Sequence, residues 1–255
     1  MIGGLKPIIF SIALVVVFSG CSHHNAATVS APVAPPPLSA DSEVASARQA
    51  SVQTNPGEAE NDSEMERVPL DRKPIFVETG VASWYGPPYH NRRGSDGKIY
   101  NMNAMTAAHR TLPLGSIVRV TNVKTGHWAV VRITDRGPFI QGRILDLSLA
   151  AAKKVDVVRA GLAQVRMEVL ETPVAIETGG RWAVQIGGFD QQESANKLVD
   201  QISHRYKTAK VLSFSSPVGD WWVRVRVLHD DRGRAQEIVR DMRADQEKTF
   251  LVRLD

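Results

Sequence analysis

The sequence is poor in features that would point directly to a metal site, a disulfide-bonded fold or a membrane-spanning helix. Cysteine occurs once, at Cys21, which excludes an intramolecular disulfide framework and a cysteine-based zinc site. The seven histidines show no spacing typical of metal ligands. The sequence therefore predicts no metal site and no cofactor.

The N-terminal segment has the pattern of a secretory signal peptide. Lys6 precedes an apolar run at residues 8–18, which is shorter than the roughly 18–20 residues that cross a bilayer. The segment "FSGC" resembles the lipobox of bacterial lipoproteins, in which the cysteine is lipidated and becomes the mature N-terminus. This resemblance implies a signal peptide over 1–21, a lipid on Cys21 and, because Ser22 follows, attachment to the periplasmic face of the outer membrane. Ordinary secretion with an incidental cysteine is the alternative.

Residues 22–75 are rich in Ala, Ser, Pro and Glu and contain few aromatic side chains. Such a composition does not bury enough apolar surface to offset the entropy of the ordered chain. We therefore predict a disordered tether that lets the following domains move away from the membrane.

The net charge of +4 is concentrated in the middle of the chain, because residues 76–172 hold most of the basic excess. A basic domain suits an anionic polymer, either a nucleic acid or an acidic glycan, although a solvated basic face is the simpler explanation. A signal peptide carries the protein away from nucleic acid, and no nucleic-acid-binding motif occurs. We predict no nucleic-acid partner.

Residues 76–172 predict a small β-barrel. Short runs with alternating or β-branched residues are separated by Gly, Pro and Asn; they are "GVASWY", "GSIVRVTNV", "HWAVVRIT" and "AQVRMEVL". One short helix is predicted at "SLAAAKKV", with Ser148 as its N-cap.

Residues 181–255 contain an internal repeat. The segments "WAVQIGGFDQQESANKLV" and "WVRVRVLHDDRGRAQEIV" each read as strand, loop and helix, about 40 residues apart. Two such units in a short stretch predict a ferredoxin-like split βαβ module. The predicted fold class is mainly β for the first domain and α+β for the second.

The motifs "GVASWYG", "YNMNAMTAAHRTLPLGSIVRVTNVKTG" and "VVRITDRGPFIQGRILDLSLAAA" together resemble the rare lipoprotein A family of peptidoglycan lytic transglycosylases. The segment "VQIGGF" resembles the first strand of SPOR domains, which bind glycan strands stripped of stem peptides. The resemblance implies a six-stranded double-psi β-barrel over 76–172 and a SPOR domain over 181–255. It also implies endolytic cleavage of the β-1,4 bond between N-acetylmuramic acid and N-acetylglucosamine in peptide-free strands, with a 1,6-anhydro product. The implied partners are peptidoglycan strands and division-septum proteins.

Asp135 is the candidate general acid. If the strand at "VVRITD" runs to Asp135, this residue shares a face with Val131 and Ile133, and partial desolvation would raise its pKa. Asp before Arg-Gly-Pro also fits an ordinary turn. In the resembled family the matching aspartate is the proposed acid and base, and the residue matching His109 belongs to the active site. His109 would orient Asp135 or bind sugar hydroxyls, or else be structural.

Other residues are candidates for binding the glycan. Trp84, Tyr85 and Tyr100 would stack on sugar rings or belong to the core. Lys98 and Arg136 complete the predicted substrate-binding set of the first domain. In the second domain the predicted glycan-binding residues are Gln185, Phe189 and Trp222.

Lys98 separates two hypotheses, because the resembled family usually carries Glu at this position. A cation there reverses the local field and would depress the pKa of a nearby Asp135, which would weaken it as an acid. The alternative to an enzyme is therefore a non-catalytic peptidoglycan-binding lipoprotein on the same fold.

Overall fold

The computed structural model describes residues 71–255 except positions 208, 217, 245 and 247. The predicted signal peptide, the predicted lipidation site Cys21 and the predicted tether up to residue 70 lie outside the described residues. Within the described ranges, no helix is both long enough and apolar enough to cross a membrane.

Six strands form a closed barrel, as predicted, in the order β1-β5-β2-β4-β3-β6. They are β1 Phe76–Trp84, β2 Thr106–Ala108, β3 Ile117–Asn122, β4 Trp128–Asp135, β5 Arg143–Leu147 and β6 Ala163–Glu171. The pairs β1 with β5 and β2 with β4 are parallel, and the other pairs are antiparallel. The sequence patterns did not identify β2 and β5, because runs of three and five residues carry too little alternation.

Alternate strand residues fill the barrel interior. Val118 and Val120 of β3 and Val131 and Ile133 of β4 have no exposed surface, as the two-residue period of a strand requires. Helix α1, Leu149–Lys154, adds two alanines to the same core. The Ser148 hydroxyl accepts a hydrogen bond from the backbone N of Ala151 at 3.2 Å, which confirms the predicted N-cap.

The second domain is a four-stranded antiparallel sheet with two helices. Its elements are β7 Trp182–Phe189, α2 Gln192–Arg205, β8 Lys210–Ser215, β9 Trp221–Arg226, a 3₁₀ turn Leu228–Asp230, α3 Arg232–Arg243 and β10 Thr249–Arg253. The sheet order is β10-β7-β9-β8. A βαββαβ chain with its first and third strands in the centre is the predicted ferredoxin-like module. Ala195 and Ala235 occupy equivalent positions in the two helices of the sequence repeat, and both are fully buried.

The two faces of this sheet have different partners. Trp182, Val184 and Ile186 pack with the helices in one core. The opposite face meets the barrel, where the Phe139 ring lies 5.3 Å from Trp222 and 5.8 Å from Phe250, measured between ring centroids. One face of the second domain is therefore built to pack on the first.

Candidate functional site

One cleft lies where the barrel meets the sheet of the second domain. Its volume is about 350 Å³, which is within the range of small-molecule sites. Both domains supply charged and aromatic side chains to it. These lining residues are Tyr85, Tyr89, Arg93, Asp135, Arg136, Phe139, Arg143 and Asp146 from the barrel, and Phe214, Asp220, Trp222 and Arg224 from the second domain.

A β-bulge places Asp135 at this cleft. Ala107 of β2 pairs with Ile133 and the next residue, Ala108, pairs with Asp135, so Thr134 is an extra residue in β4. Bulges bend a strand and redirect the side chains beyond them. The Thr134 carbonyl accepts a hydrogen bond from the backbone N of Asp96 at 3.1 Å. This bond ties the end of β4 to the turn at residues 94–98.

Three hydrogen bonds hold one oxygen of the Asp135 carboxylate. The Oδ1 atom accepts from the backbone N of Ser95 at 3.0 Å, from the Ser95 hydroxyl, and from the backbone N of Arg136 at 2.7 Å. Burial raises the pKa of Asp135, the three hydrogen bonds oppose this shift, and the negative charge of Asp96 adds to it. Because the pKa is raised, the protonated carboxyl persists to a higher pH than an ordinary aspartic acid. The buried position and the raised pKa agree with a proton donor, and the role of Asp135 as general acid stays a prediction.

The imidazole of His109 does not face the Asp135 carboxylate. Its Nδ1 accepts hydrogen bonds from the backbone N atoms of Thr111 and Leu112 at 3.1 and 3.0 Å. Its Nε2 lies 3.4 Å from Oε2 of Glu78. Burial lowers the pKa of His109, which suits a neutral ring that caps a turn. The backbone N of His109 does reach the carbonyl of Asp135, at 3.1 Å. A catalytic role for His109 stays a prediction, and these contacts favour its structural alternative.

Arg136 lines the cleft, but its guanidinium is committed elsewhere. Nη1 donates to the carbonyls of His109 and Leu112 at 3.0 and 2.6 Å, and Nη2 donates to the main-chain O of Asp255. Burial lowers the pKa of Arg136 to about 10. Substrate binding by this residue remains a prediction, since the guanidinium already joins three main-chain oxygens.

The predicted aromatic platform is only partly present at the cleft. Tyr85 lines it, but Tyr100 is buried behind Tyr85, with ring centroids 4.3 Å apart and planes 19° from parallel. Trp84 packs against the barrel core instead. Sequence reasoning missed Tyr89, which also lines the cleft. Its ring and that of Tyr85 pack edge to face, with centroids 5.8 Å apart. The signal for Tyr89 in the sequence is a second tyrosine directly after the Gly-Pro-Pro that follows Tyr85.

Lys98 is exposed and lies outside the residues that line the cleft. Its backbone N donates to Oδ1 of Asp96 at 2.9 Å. The pKa of Asp135 is not depressed, because burial and the charge of Asp96 raise it; an effect of Lys98 itself stays a prediction.

Sequence reasoning also missed a second carboxyl group in the cleft. Asp146, in β5, accepts a hydrogen bond from the Ser83 hydroxyl on Oδ1, and its Oδ2 lies 3.5 Å from Nη2 of Arg143. Burial raises the pKa of Asp146, and the charge of Asp135 contributes to the same shift. The described residues contain no group of three His, Cys, Asp or Glu side chains placed to hold a metal ion.

The predicted glycan-binding residues of the second domain separate into two groups. Gln185 and Trp222 line the cleft. Phe189 packs against the helix-side core instead, because the register shifts between Gly187 and Phe189. Gly187 and Gly188 have φ of 130° and 76°, a conformation that glycine adopts at little cost. The placement of Phe189 on the face of Gln185 is therefore wrong.

Two protein-family models match the two domains. Residues 77–167 match the family described as lytic transglycolase, and residues 178–253 match the SPOR domain. The fold and these matches define a double-psi-barrel protein of the lytic transglycolase class that carries a SPOR domain after the barrel.

Proteins named endolytic peptidoglycan transglycosylase RlpA are similar to this chain. The protein of Campylobacter jejuni is 39% identical over 158 residues, which cover 52% of this chain and 56% of that protein. For Neisseria meningitidis serogroup B the identity is 52% over 142 residues, covering 54% and 59%. For Pasteurella multocida it is 34% over 184 residues, covering 67% and 63%. The chain thus spans between half and two thirds of the length of these relatives. Its barrel and its second domain carry the lytic transglycolase and SPOR matches, and the chain is similar to proteins named RlpA.

Proposed function

We propose that the protein is an endolytic peptidoglycan lytic transglycosylase. It cleaves the β-1,4 bond between N-acetylmuramic acid and N-acetylglucosamine in peptide-free strands and leaves 1,6-anhydro ends. The observation that carries this proposal is Asp135, a carboxyl of raised pKa held at the wall of a cleft. The two matched domains and the names of the relatives support it.

The chemistry needs one group that gives and then takes a proton. Asp135 protonates the glycosidic oxygen as the bond from C1 of N-acetylmuramic acid breaks and an oxocarbenium-like state forms. The 6-hydroxyl oxygen of the same sugar attacks C1, and its proton passes to the Asp135 carboxylate. Water is not consumed, so the water-activating base of an inverting glycosidase has no counterpart here. The acid is regenerated for the next cleavage.

The hydrogen bonds to Oδ1 suit this exchange. With Oδ1 fixed by Ser95 and Arg136, the proton is carried by the other oxygen of Asp135. Asp146 adds negative charge to the same cleft when ionised, and such charge stabilises an oxocarbenium-like state. Tyr85 and Tyr89 offer aromatic surface to the apolar faces of the sugars.

The non-catalytic alternative is not favoured. It rested on Lys98 weakening Asp135, whereas Lys98 lies outside the cleft lining and the pKa of Asp135 is raised. All curated relatives described above carry the name of a transglycosylase.

The cellular setting is also a proposal. The signal-peptide pattern and the lipobox-like "FSGC" support a lipid anchor on Cys21 and a site on the periplasmic face of the outer membrane. The SPOR domain supports action on peptide-free strands in wall remodelling at division septa, together with septal proteins.

Digestion of purified sacculi tests the activity. The full chain is incubated with intact sacculi and with sacculi stripped of stem peptides by an amidase, and the products are identified by mass spectrometry. We expect 1,6-anhydro glycans from stripped sacculi and far fewer from intact ones. Binding to both substrates without any anhydro product would instead identify a wall-binding protein.

A further inference from the structure

We propose that the cleft is a composite glycan site in which Arg224 of the SPOR domain binds the lactyl carboxylate of a peptide-free N-acetylmuramic acid while Asp135 of the barrel meets the scissile bond. The proposal rests on the proposed function. It adds a residue that recognises the substrate and a role for the contact between the domains.

The first observation is the direction of the SPOR sheet. In its register Phe214 pairs with Trp222, and Gln185 pairs with Arg224. These four side chains line the cleft that also contains Asp135. The neighbours Val223 and Val225 pack with the helices on the other face. A glycan strand lying along this part of the sheet therefore runs directly past Asp135 of the barrel.

The second observation is the state of Arg224. Its guanidinium lies over the Phe214 ring, 4.5 Å from the centroid, and Nη2 donates to Oε1 of Gln185 at 2.8 Å. Its Nε is buried and has no hydrogen-bond partner among the described residues. A neutral amide is thus its hydrogen-bonded neighbour, and burying a cation without a counter-charge is unfavourable.

The other arginines of the cleft are held by partners of a kind that Arg224 lacks, although Arg136 and Arg143 also have a buried Nε without a hydrogen-bond partner in the described part of the chain. Arg143 is paired with Asp146, the Arg136 guanidinium donates to main-chain oxygens, and Arg93 donates to the carbonyl of Gly97. Arg224 therefore combines a fixed orientation and a desolvated charge with a hydrogen-bonded neighbour that is neutral. This is the arrangement that favours an incoming anion.

The chemistry of the strand supplies a matching anion. In a peptide-free strand each N-acetylmuramic acid ends its lactyl group in a free carboxylate, whereas a stem peptide converts that group to an amide. A guanidinium binds a carboxylate through paired, charge-assisted hydrogen bonds and loses this advantage with an amide. Arg224 would therefore select peptide-free strands within the cleft itself.

The test compares Arg224→Gln with Arg226→Gln in the full chain. Arg226 is on the same strand, but it is paired with Asp230 at 3.8 Å and lies outside the cleft lining. Two substrates are used: soluble peptide-free strands, and the same strands with their lactyl carboxylates converted to methylamides. We expect Arg224→Gln to raise KM on free-acid strands about tenfold or more with kcat nearly unchanged. Arg226→Gln should match the wild type.

The amidated strands supply the decisive comparison. On them the wild type and Arg224→Gln should have the same KM, since no carboxylate is present. Equal KM values on the free-acid strands, or the same loss on both substrates, would overturn the assignment of Arg224 to the carboxylate.

A second variant guards against loss of packing at Arg224. Gln185→Glu keeps the guanidinium in place and gives it an internal anion, so it should raise KM on free-acid strands by a larger factor than on amidated strands. If this variant binds free-acid strands as well as the wild type, the proposal is wrong. Thermal unfolding of each variant shows whether the fold is retained.

Binding measurements separate this proposal from the proposed function. Affinity for the two kinds of strand is measured by fluorescence anisotropy with the full-length Asp135→Asn chain, which binds without turnover. A preference for free-acid strands that disappears in Asp135→Asn with Arg224→Gln supports the composite site even if the wild type cuts nothing. Normal cleavage without that preference refutes the composite site alone.

Discussion

The barrel and the SPOR domain hold their charged side chains at the shared cleft in different ways. On the barrel side, the Oδ1 atoms of Asp135 and Asp146 accept hydrogen bonds, and burial raises the pKa values of both carboxyls. On the SPOR side, Arg224 is a stacked cation with an amide beside it. From these contacts we expect the barrel to move a proton and the SPOR domain to bind an anionic glycan strand.

The largest effect is expected from removing the acid of the barrel. Asp135→Asn should lower kcat by about 10²–10⁴-fold, the usual contribution of a general acid, while strand binding is retained. The matched control is Asp156→Asn, since Asp156 is a surface partner of His127 on the same barrel. If Asp135→Asn cleaves strands at the same rate as Asp156→Asn, Asp135 is not the proton donor.

Asp135→Asn should not destabilise the fold at neutral pH. Folding raises the pKa of Asp135, so its ionised form disfavours the folded state once the pH exceeds the unfolded pKa, and this penalty vanishes at lower pH. A neutral asparagine avoids the penalty. The thermal unfolding midpoint at neutral pH should be equal to or above that of the wild type; a clear drop would mean that lost structure explains lost activity.

The second-largest effect is expected from weakening the contact between the barrel and the SPOR domain. Phe139→Ala removes ring contacts with Trp222 and Phe250, which are worth about 0.5–1.5 kcal/mol each beyond area burial. We expect a lower unfolding temperature and a higher KM with kcat preserved. Trp128→Ala is the control, because Trp128 is 45% exposed at the start of β4. An unchanged KM in Phe139→Ala would show that the SPOR side of the cleft takes no part in binding the substrate.

Smaller and opposite effects are expected from the turn that holds Asp135. The Ser95 hydrogen bond lowers the pKa of Asp135 and the Asp96 charge raises it. Ser95→Ala should therefore move the basic limb of the pH–rate profile to higher pH, and Asp96→Asn should move it to lower pH. Ser213→Ala is the control, because it removes a hydroxyl in the SPOR domain. It should leave the basic limb of the pH–rate profile unchanged. Shifts of the same sign in both turn variants would be inconsistent with this electrostatic account.

The smallest effect is expected at Lys98. Because Lys98 is exposed and outside the cleft lining, Lys98→Glu should change kcat/KM by less than about fivefold, as expected for exposed charges. Steady-state kinetics on peptide-free strands measures this. A gain of several orders of magnitude would restore the hypothesis that Lys98 disables the site.

The sequence predicts those parts of the molecule that depend on local pattern. Alternation in β3 and β4, the Ser148 cap and the repeat with Ala195 and Ala235 all follow from periods that a single segment carries. These features need no knowledge of distant contacts. For Asp135 the strand pattern alone left open whether it is a turn residue or an acid, and the family resemblance favoured the acid.

The remaining parts depend on contacts between distant segments or on local irregularities. Ser95 is 40 residues from Asp135, and Ser83 is 63 residues from Asp146, so no spacing rule links them. The glycine bulge before Phe189 interrupts the two-residue period that had placed Phe189 on the binding face. For His109, the residue type alone does not show whether the ring caps amides or meets an acid.

The central claim is that Asp135 acts with the sugar's own 6-hydroxyl and without water. The most direct measurement is digestion of peptide-free strands in water enriched in the heavy oxygen isotope, with the product ends analysed by mass spectrometry. The account predicts 1,6-anhydro ends that contain no heavy oxygen, formed by the wild type and absent with Asp135→Asn. Reducing ends that carry heavy oxygen from the solvent would contradict it.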